Sequence, residues 1–151
     1  MERILSFLPF LLGVAGAGWI GAQFEPGVWY AALQKPALTP PNAIFGPVWT
    51  LIYLAIAVAG WRVFRAGAHF GARALWIVQL VLNGLWSYLF FGIHRMGWAL
   101  VEIAGLWLIV VVATAVFWRI EKTAGLLFVP YALWVSFAMY LNAGLWFLNR
   151  G

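Results

Sequence analysis

Five long apolar runs dominate this chain and leave it few ways to fold. They cover about residues 4–24, 43–64, 70–91, 97–118 and 124–148. A helix needs roughly 20 apolar residues to cross the hydrocarbon core of a bilayer, and each run is about that long. None shows the roughly ten-residue alternation of a lipid-facing barrel strand. In hydrocarbon a helix satisfies its own backbone N–H and C=O groups, whereas an open sheet does not. The sequence therefore predicts an all-α membrane protein. Residues 1–151 would form a single transmembrane domain, a five-transmembrane-helix bundle in the lipid bilayer.

Composition supports this class. Hydrophobic residues make up 66% of the 151 and charged residues 9%, too few to clothe a soluble domain of that size. The net charge of +5 does not indicate nucleic acid, because the basic residues are single and scattered rather than arranged in a stripe. They read better as topology. With five crossings, Arg3, Arg62, Arg65, Arg73, Arg119 and Lys122 share the N-terminal side, against Lys35, Arg95 and Arg150 on the other. The positive-inside rule then puts the N-terminus in the cytoplasm and the connection after the first helix outside. Ala15-Gly16-Ala17 resembles a signal-peptidase site, but the run is long enough to span, and a retained first helix is expected.

Several chemistries are excluded within these residues. Cysteine and aspartate are absent, which removes disulfides, thiolate metal sites and many Mg²⁺-binding schemes. His69 and His94 fall on opposite sides of the membrane, so they cannot share a haem iron. No phosphate-binding glycine loop, HExxH helix or GxSxG elbow is present. No catalytic residue, metal site or required cofactor is predicted.

The connections are short except one. Residues 25–42, EPGVWYAALQKPALTPPN, form a long loop stiffened by Pro26, Pro36, Pro40 and Pro41. Long loops in compact proteins are usually functional or disordered. Trp29, Tyr30, Leu33 and Leu38 give this one apolar surface to pack, so it reads as a lid over one mouth of the bundle. The alternative is an interfacial aromatic anchor.

Polar residues within the runs mark helix faces. Gln79, Asn83 and Ser87 recur every four residues, flanked by Trp76, Trp86 and Phe90. Such groups avoid lipid, and serve either as interhelical glue or as ligand contacts; Asn83, mid-helix, is the candidate contact. Trp49 and Tyr53 share a face of the second run, with Pro47 in its first turn. Tyr131, Trp134 and Ala138 follow an i, i+3, i+7 pattern in the fifth, where the small Ala138 opens space. These faces could enclose a flat, largely apolar ligand, or simply pack the bundle. Glu102 is the one carboxylate inside a run. Gly13, Ala17 and Gly21 permit close helix approach, within the bundle or between protomers.

The ordered motifs go further. Trp29-Tyr30, Leu33, Lys35-Pro36 and Thr39-Pro40-Pro41 are followed by Phe45-Gly46-Pro47-Val48-Trp49-Thr50 and Tyr53. Then come Asn83-Gly84-Leu85-Trp86, Phe90-Phe91-Gly92 and Pro130 through Asn142. This pattern resembles the TspO/MBR family of tryptophan-rich sensory proteins and translocator proteins (peripheral-type benzodiazepine receptors). The resemblance covers nearly the whole chain. It implies a homodimer of five-helix protomers, with a cavity beneath the loop. The implied ligands are porphyrins such as protoporphyrin IX and haem-related tetrapyrroles, and synthetic benzodiazepine-site compounds. Carried over by motif, the ligand-binding positions are Trp29, Tyr30, Pro41, Trp49, Asn83, Trp86, Phe90, Tyr131, Trp134 and Ala138. Lys35 is expected near the mouth, within reach of porphyrin carboxylates. The implied role is sensing of, or protection against, tetrapyrroles in a bacterial cell membrane. Light-dependent porphyrin degradation through Trp49 and Trp134 and transport are the alternatives. The C-terminal cholesterol motif is unmatched, because the first basic residue after Tyr140 is Arg150.

Overall fold

The computed structural model describes residues 1–150. Its helices are α1 (Glu2–Ala22), α2 (Gly27–Ala31), α3 (Asn42–Arg65), α4 (Phe70–Ser87), α5 (Met96–Ile120) and α6 (Lys122–Asn149). All but the short α2 are long and apolar enough to cross a membrane, α4 together with the π-helical turn Tyr88–Gly92 that continues it. The expected all-α, five-span architecture is present. One expectation shifts: α3 begins at Asn42, so Pro47 lies in its second turn rather than its first.

Many large apolar side chains face outward, among them Leu12, Trp19, Leu51, Trp98, Val101 and Leu133. On a soluble protein this surface would be an aggregation hazard; here it suits lipid. The interior is built from small residues and aromatics. Ala57, Ala59, Ala72, Ala99, Ala113 and Ala124 are fully buried, beside Phe117, Phe128 and Tyr131. Trp76 packs over Gly60 and donates from Nε1 to the Ile56 carbonyl at 2.9 Å, which joins α4 to α3.

The helices do not pack evenly. α5 and α6 are the closest pair, whereas α3 and α4 touch little and α1 leans on both. The small residues of α1 serve this internal contact. A Cβ on Gly13 would meet Leu80, one on Gly21 would meet the Ser87 hydroxyl, and Ala17 is buried. The loose α3–α4 seam leaves room inside the bundle on the side where α1 ends.

α5 and α6 are joined by Glu121 alone. Its carboxylate accepts from the Thr123 and Ala124 amides, at 3.3 and 3.0 Å, and so caps α6. It also pairs with Arg62 of α3 at 2.7 Å. The Arg62 hydrogen bond, helped by those amides against partial burial, holds the Glu121 carboxyl below the ordinary glutamate range. A carboxyl depressed in the folded state stabilises above its unfolded value and loses that contribution as pH falls through its folded value. Glu121→Gln should therefore lower the melting temperature of detergent-solubilised protein at neutral pH, by the small amount an exposed pair supplies, about 0–1 kcal/mol. The gap from wild type should close on acidification; a gap unchanged into strong acid would contradict the ion pair.

Candidate functional site

The room left by the α3–α4 seam is a cavity of about 410 Å³, within the range of roughly 300–1,000 Å³ usual for small-molecule sites. Four spans wall it. Gly18, Gly21 and Ala22 come from α1, Phe45, Trp49 and Tyr53 from α3, and Asn83, Trp86 and Phe90 from α4 and its π-turn. α6 contributes Trp134, Ala138, Leu141 and Asn142. Tyr30 of the loop closes one end, with Glu25, Pro26 and Asn42 at the rim.

The aromatic rings hold one another edge-on or stacked. Trp49 meets Trp134 edge-on at 6.2 Å, Phe45 also contacts Trp134, and Trp86 stacks on Phe90 at 5.2 Å. Rings arranged in these ways line the cavity with apolar surface.

Behind one wall runs a chain of polar groups. The Tyr53 hydroxyl donates to Asn83 Oδ1 at 2.9 Å, and Asn83 Nδ2 donates to the Tyr131 hydroxyl at 2.9 Å. Tyr131 donates to Gln79 Oε1 at 2.7 Å, and Gln79 Nε2 donates to the Trp76 carbonyl. A second pair supports the lid side: Trp86 Nε1 donates to Asn142 Oδ1, and Asn142 Nδ2 donates to the Met96 carbonyl, both at 2.9 Å. These polar groups are thus already partnered within the protein. Trp134 Nε1 is different: it is buried and has no partner.

The loop folds over the opening. α2 buries Tyr30 against Phe90, Ala99 and Leu145, and burial pushes the Tyr30 hydroxyl pKa up. Trp29 stacks flat on His94 at 3.9 Å and meets Phe90 edge-on. His94 holds a left-handed backbone, φ 56°, a conformation uncommon for a residue with a Cβ. The far half of the loop is fastened to α6. Gln34 exchanges two hydrogen bonds with the Asn149 amide, at 2.9 and 2.8 Å, and Tyr140 donates to the Ala37 carbonyl at 2.7 Å. Pro36 sits on Gly144, where any Cβ would collide with the ring.

Of the ten residues singled out from sequence, Tyr30, Trp49, Asn83, Trp86, Phe90, Trp134 and Ala138 line the cavity. Trp29, Pro41 and Tyr131 lie outside its lining. Trp29 braces the lid on His94, Pro41 precedes α3 as its N-cap, and Tyr131 is fully buried behind Asn83. Lys35 is not in the lining: its ammonium is taken up by the Tyr30, Ala31 and Leu33 carbonyls and sits over the Tyr30 ring. The sequence reading missed the α1 wall, whose glycines carry no chemical signal. It also missed Asn142, which stands one helical turn beyond Ala138 on the same face.

Asn149→Ala removes both bonds to Gln34. At about 0.5–1.5 kcal/mol per hydrogen bond, the Gln34 amide should exchange with deuterium up to roughly tenfold faster per bond lost. Unchanged exchange would mean that this end of the lid is held by Pro36 and Tyr140 alone.

The family profile described as TspO/MBR matches residues 7–147. The chain is 38% identical to Protein CrtK of Rhodobacter capsulatus, covering 96% of this chain and 93% of that relative. It is 37% identical to the tryptophan-rich sensory protein of Cereibacter sphaeroides, covering 90% and 86%. It is 33% identical to the translocator protein of Homo sapiens, covering 94% and 89%.

Proposed function

The chain belongs to the TspO/MBR family, and on that premise we propose that it is a receptor or sensor binding porphyrins, protoporphyrin IX and haem-related tetrapyrroles, in the cavity beneath the lid. At the coarser level it is a multi-pass integral membrane protein of a family whose named members are sensory and translocator proteins. The observation that carries the proposal is the apolar wall built by Trp49, Trp86 and Trp134 around the cavity. Such a wall suits a flat apolar body. The lining includes Glu25 and no lysine or arginine. A porphyrin's carboxylates would therefore stay outside the apolar chamber, in the interface beyond the rim. The role that follows is regulation of, or protection against, tetrapyrroles. No cofactor is needed for it.

Two narrower readings share the site. The edge-on pair Trp49 and Trp134 favours light-dependent porphyrin degradation, since indoles at that distance could trap oxidising species generated by an excited ligand. Transport would use the same cavity as a way-station. A homodimer would pair through a face other than the small-residue stripe of α1, which is occupied within the bundle.

Titration of protoporphyrin IX into purified protein, followed by tryptophan quenching in the dark and under light, tests the reading. Trp134→Phe and Trp49→Phe should each weaken binding several-fold through lost contact area with the wall. Equal affinity for wild type, both of these variants and Asn83→Ala would remove the cavity as the porphyrin site. Bleaching under light at the rate of free ligand would dismiss degradation.

We also propose, from the distribution of Lys and Arg, an orientation with the N-terminus cytoplasmic and the lid outside. Five crossings then put the C-terminus outside. A periplasm-active reporter fused after Gly151 should be active and a cytoplasm-active one silent; the reverse pattern would invert the orientation.

A further inference from the structure

Glu102 is the one acidic side chain within a span, apart from Glu2 at the start of α1. It is the seventh residue of α5, about 9 Å from that helix's start at 1.5 Å per residue. α5 spans about 37 Å by the same rise, against a hydrocarbon core of about 30 Å, so Glu102 lies below the interface. It shares a helix face with Ala99 and Leu106, both buried. Both of its carboxyl oxygens are shielded and neither has a hydrogen-bond partner. Among the described residues the only salt bridge is Arg62–Glu121, at the opposite end of the bundle. Tyr131 of α6 spends its proton on Gln79. Glu102 does not line the ligand cavity.

An ionised carboxylate is acceptor-only and calls for several donors. Here it would meet none, in a medium without water, and isolated charge in such surroundings is far more costly than the neutral acid. The acid form keeps its proton on the carboxyl itself and presents no net charge. We propose that Glu102 is a proton-binding site inside the membrane: a carboxylic acid that is protonated at neutral pH and is a modification site for apolar carbodiimides. This assignment is independent of what the cavity binds.

The modification balances without a further reactant. The acid's proton passes to one nitrogen of dicyclohexylcarbodiimide while the carboxyl oxygen bonds to its central carbon. The acyl group then shifts from that oxygen to nitrogen, leaving a stable N-acylurea that contains the whole reagent. The reaction starts from a protonated carboxyl, and its product survives where water is excluded.

The test treats the purified full chain at neutral pH with dicyclohexylcarbodiimide, or with a permanently charged, water-soluble carbodiimide, and locates adducts by peptide mass spectrometry. The apolar reagent should modify Glu102 ahead of Glu2, Glu25 and Glu121, and the charged reagent should spare Glu102. The Glu102 adduct should be lost in Glu102→Gln. Infrared spectra of unmodified wild-type protein give a second readout that needs no variant: a protonated-acid carbonyl band that shifts in D₂O. Labelling of Glu102 no faster than Glu25, or wild-type protein without that band, would overturn the proposal.

Discussion

Helices in hydrocarbon gain little from burying apolar side chains against one another, because the lipid they leave is as apolar as the neighbour they meet. Cohesion therefore falls to close packing and to hydrogen bonds between spans, and the chain running Tyr53–Asn83–Tyr131–Gln79 is where this bundle concentrates the latter. It takes one residue from α3, two from α4 and one from α6, the three spans that supply the aromatic wall. The indole of Trp76 on the Ile56 carbonyl extends the same tie. Without these links little would fix the rotation of α4, and the faces of Trp86 and Phe90 would have no reason to turn inward. The cavity is thus a by-product of how the polar groups were satisfied: α3 and α4 are joined through side chains rather than pressed together, and the space between them stays open.

The same account explains what could be read from the sequence. Span number and length are set by the thickness of the hydrocarbon core, so five runs of the right length announced five helices. Short connections fixed neighbours as antiparallel. The helix faces were legible only where a polar residue broke the apolar run, as at Asn83, which lines the cavity with Trp86 and Phe90 beside it. Where lipid-facing and protein-facing positions are equally apolar, hydropathy says nothing about rotation. The α1 wall of Gly18, Gly21 and Ala22 was invisible for that reason, and Leu141 and Leu145 could have faced either way. Lys35 shows a second limit. A cation beside an opening looks available until the loop's own carbonyls are seen to claim it, and that depends on a backbone path the prolines bias but do not specify. The π-turn Tyr88–Gly92, which carries Phe90, had no sequence signal.

The lid is held in two different ways. Its first half is packed, with Tyr30 buried and Trp29 flat on His94. Its second half is fastened by hydrogen bonds and by the fit of Pro36 on Gly144. The first half rests on the α4–α5 corner and on Leu145 of α6, and the second on the end of α6. Both halves therefore depend on α6.

The single-residue joint at Glu121 bears on assembly. With almost no loop to close, α5 and α6 pay the least closure entropy of any pair, and their small, fully buried residues mate closely. They are suited to enter the membrane as one hairpin. Yet α6 also brings Trp134, Ala138 and Asn142 for the cavity, and Tyr140, Gly144 and Asn149 for the lid. A nascent chain that has threaded four spans therefore has neither a finished chamber nor the α6 surface on which the second half of its cover rests. Both become available together when the last of the five spans emerges, so that half of the early loop must wait, exposed, for the final helix to give it a seat.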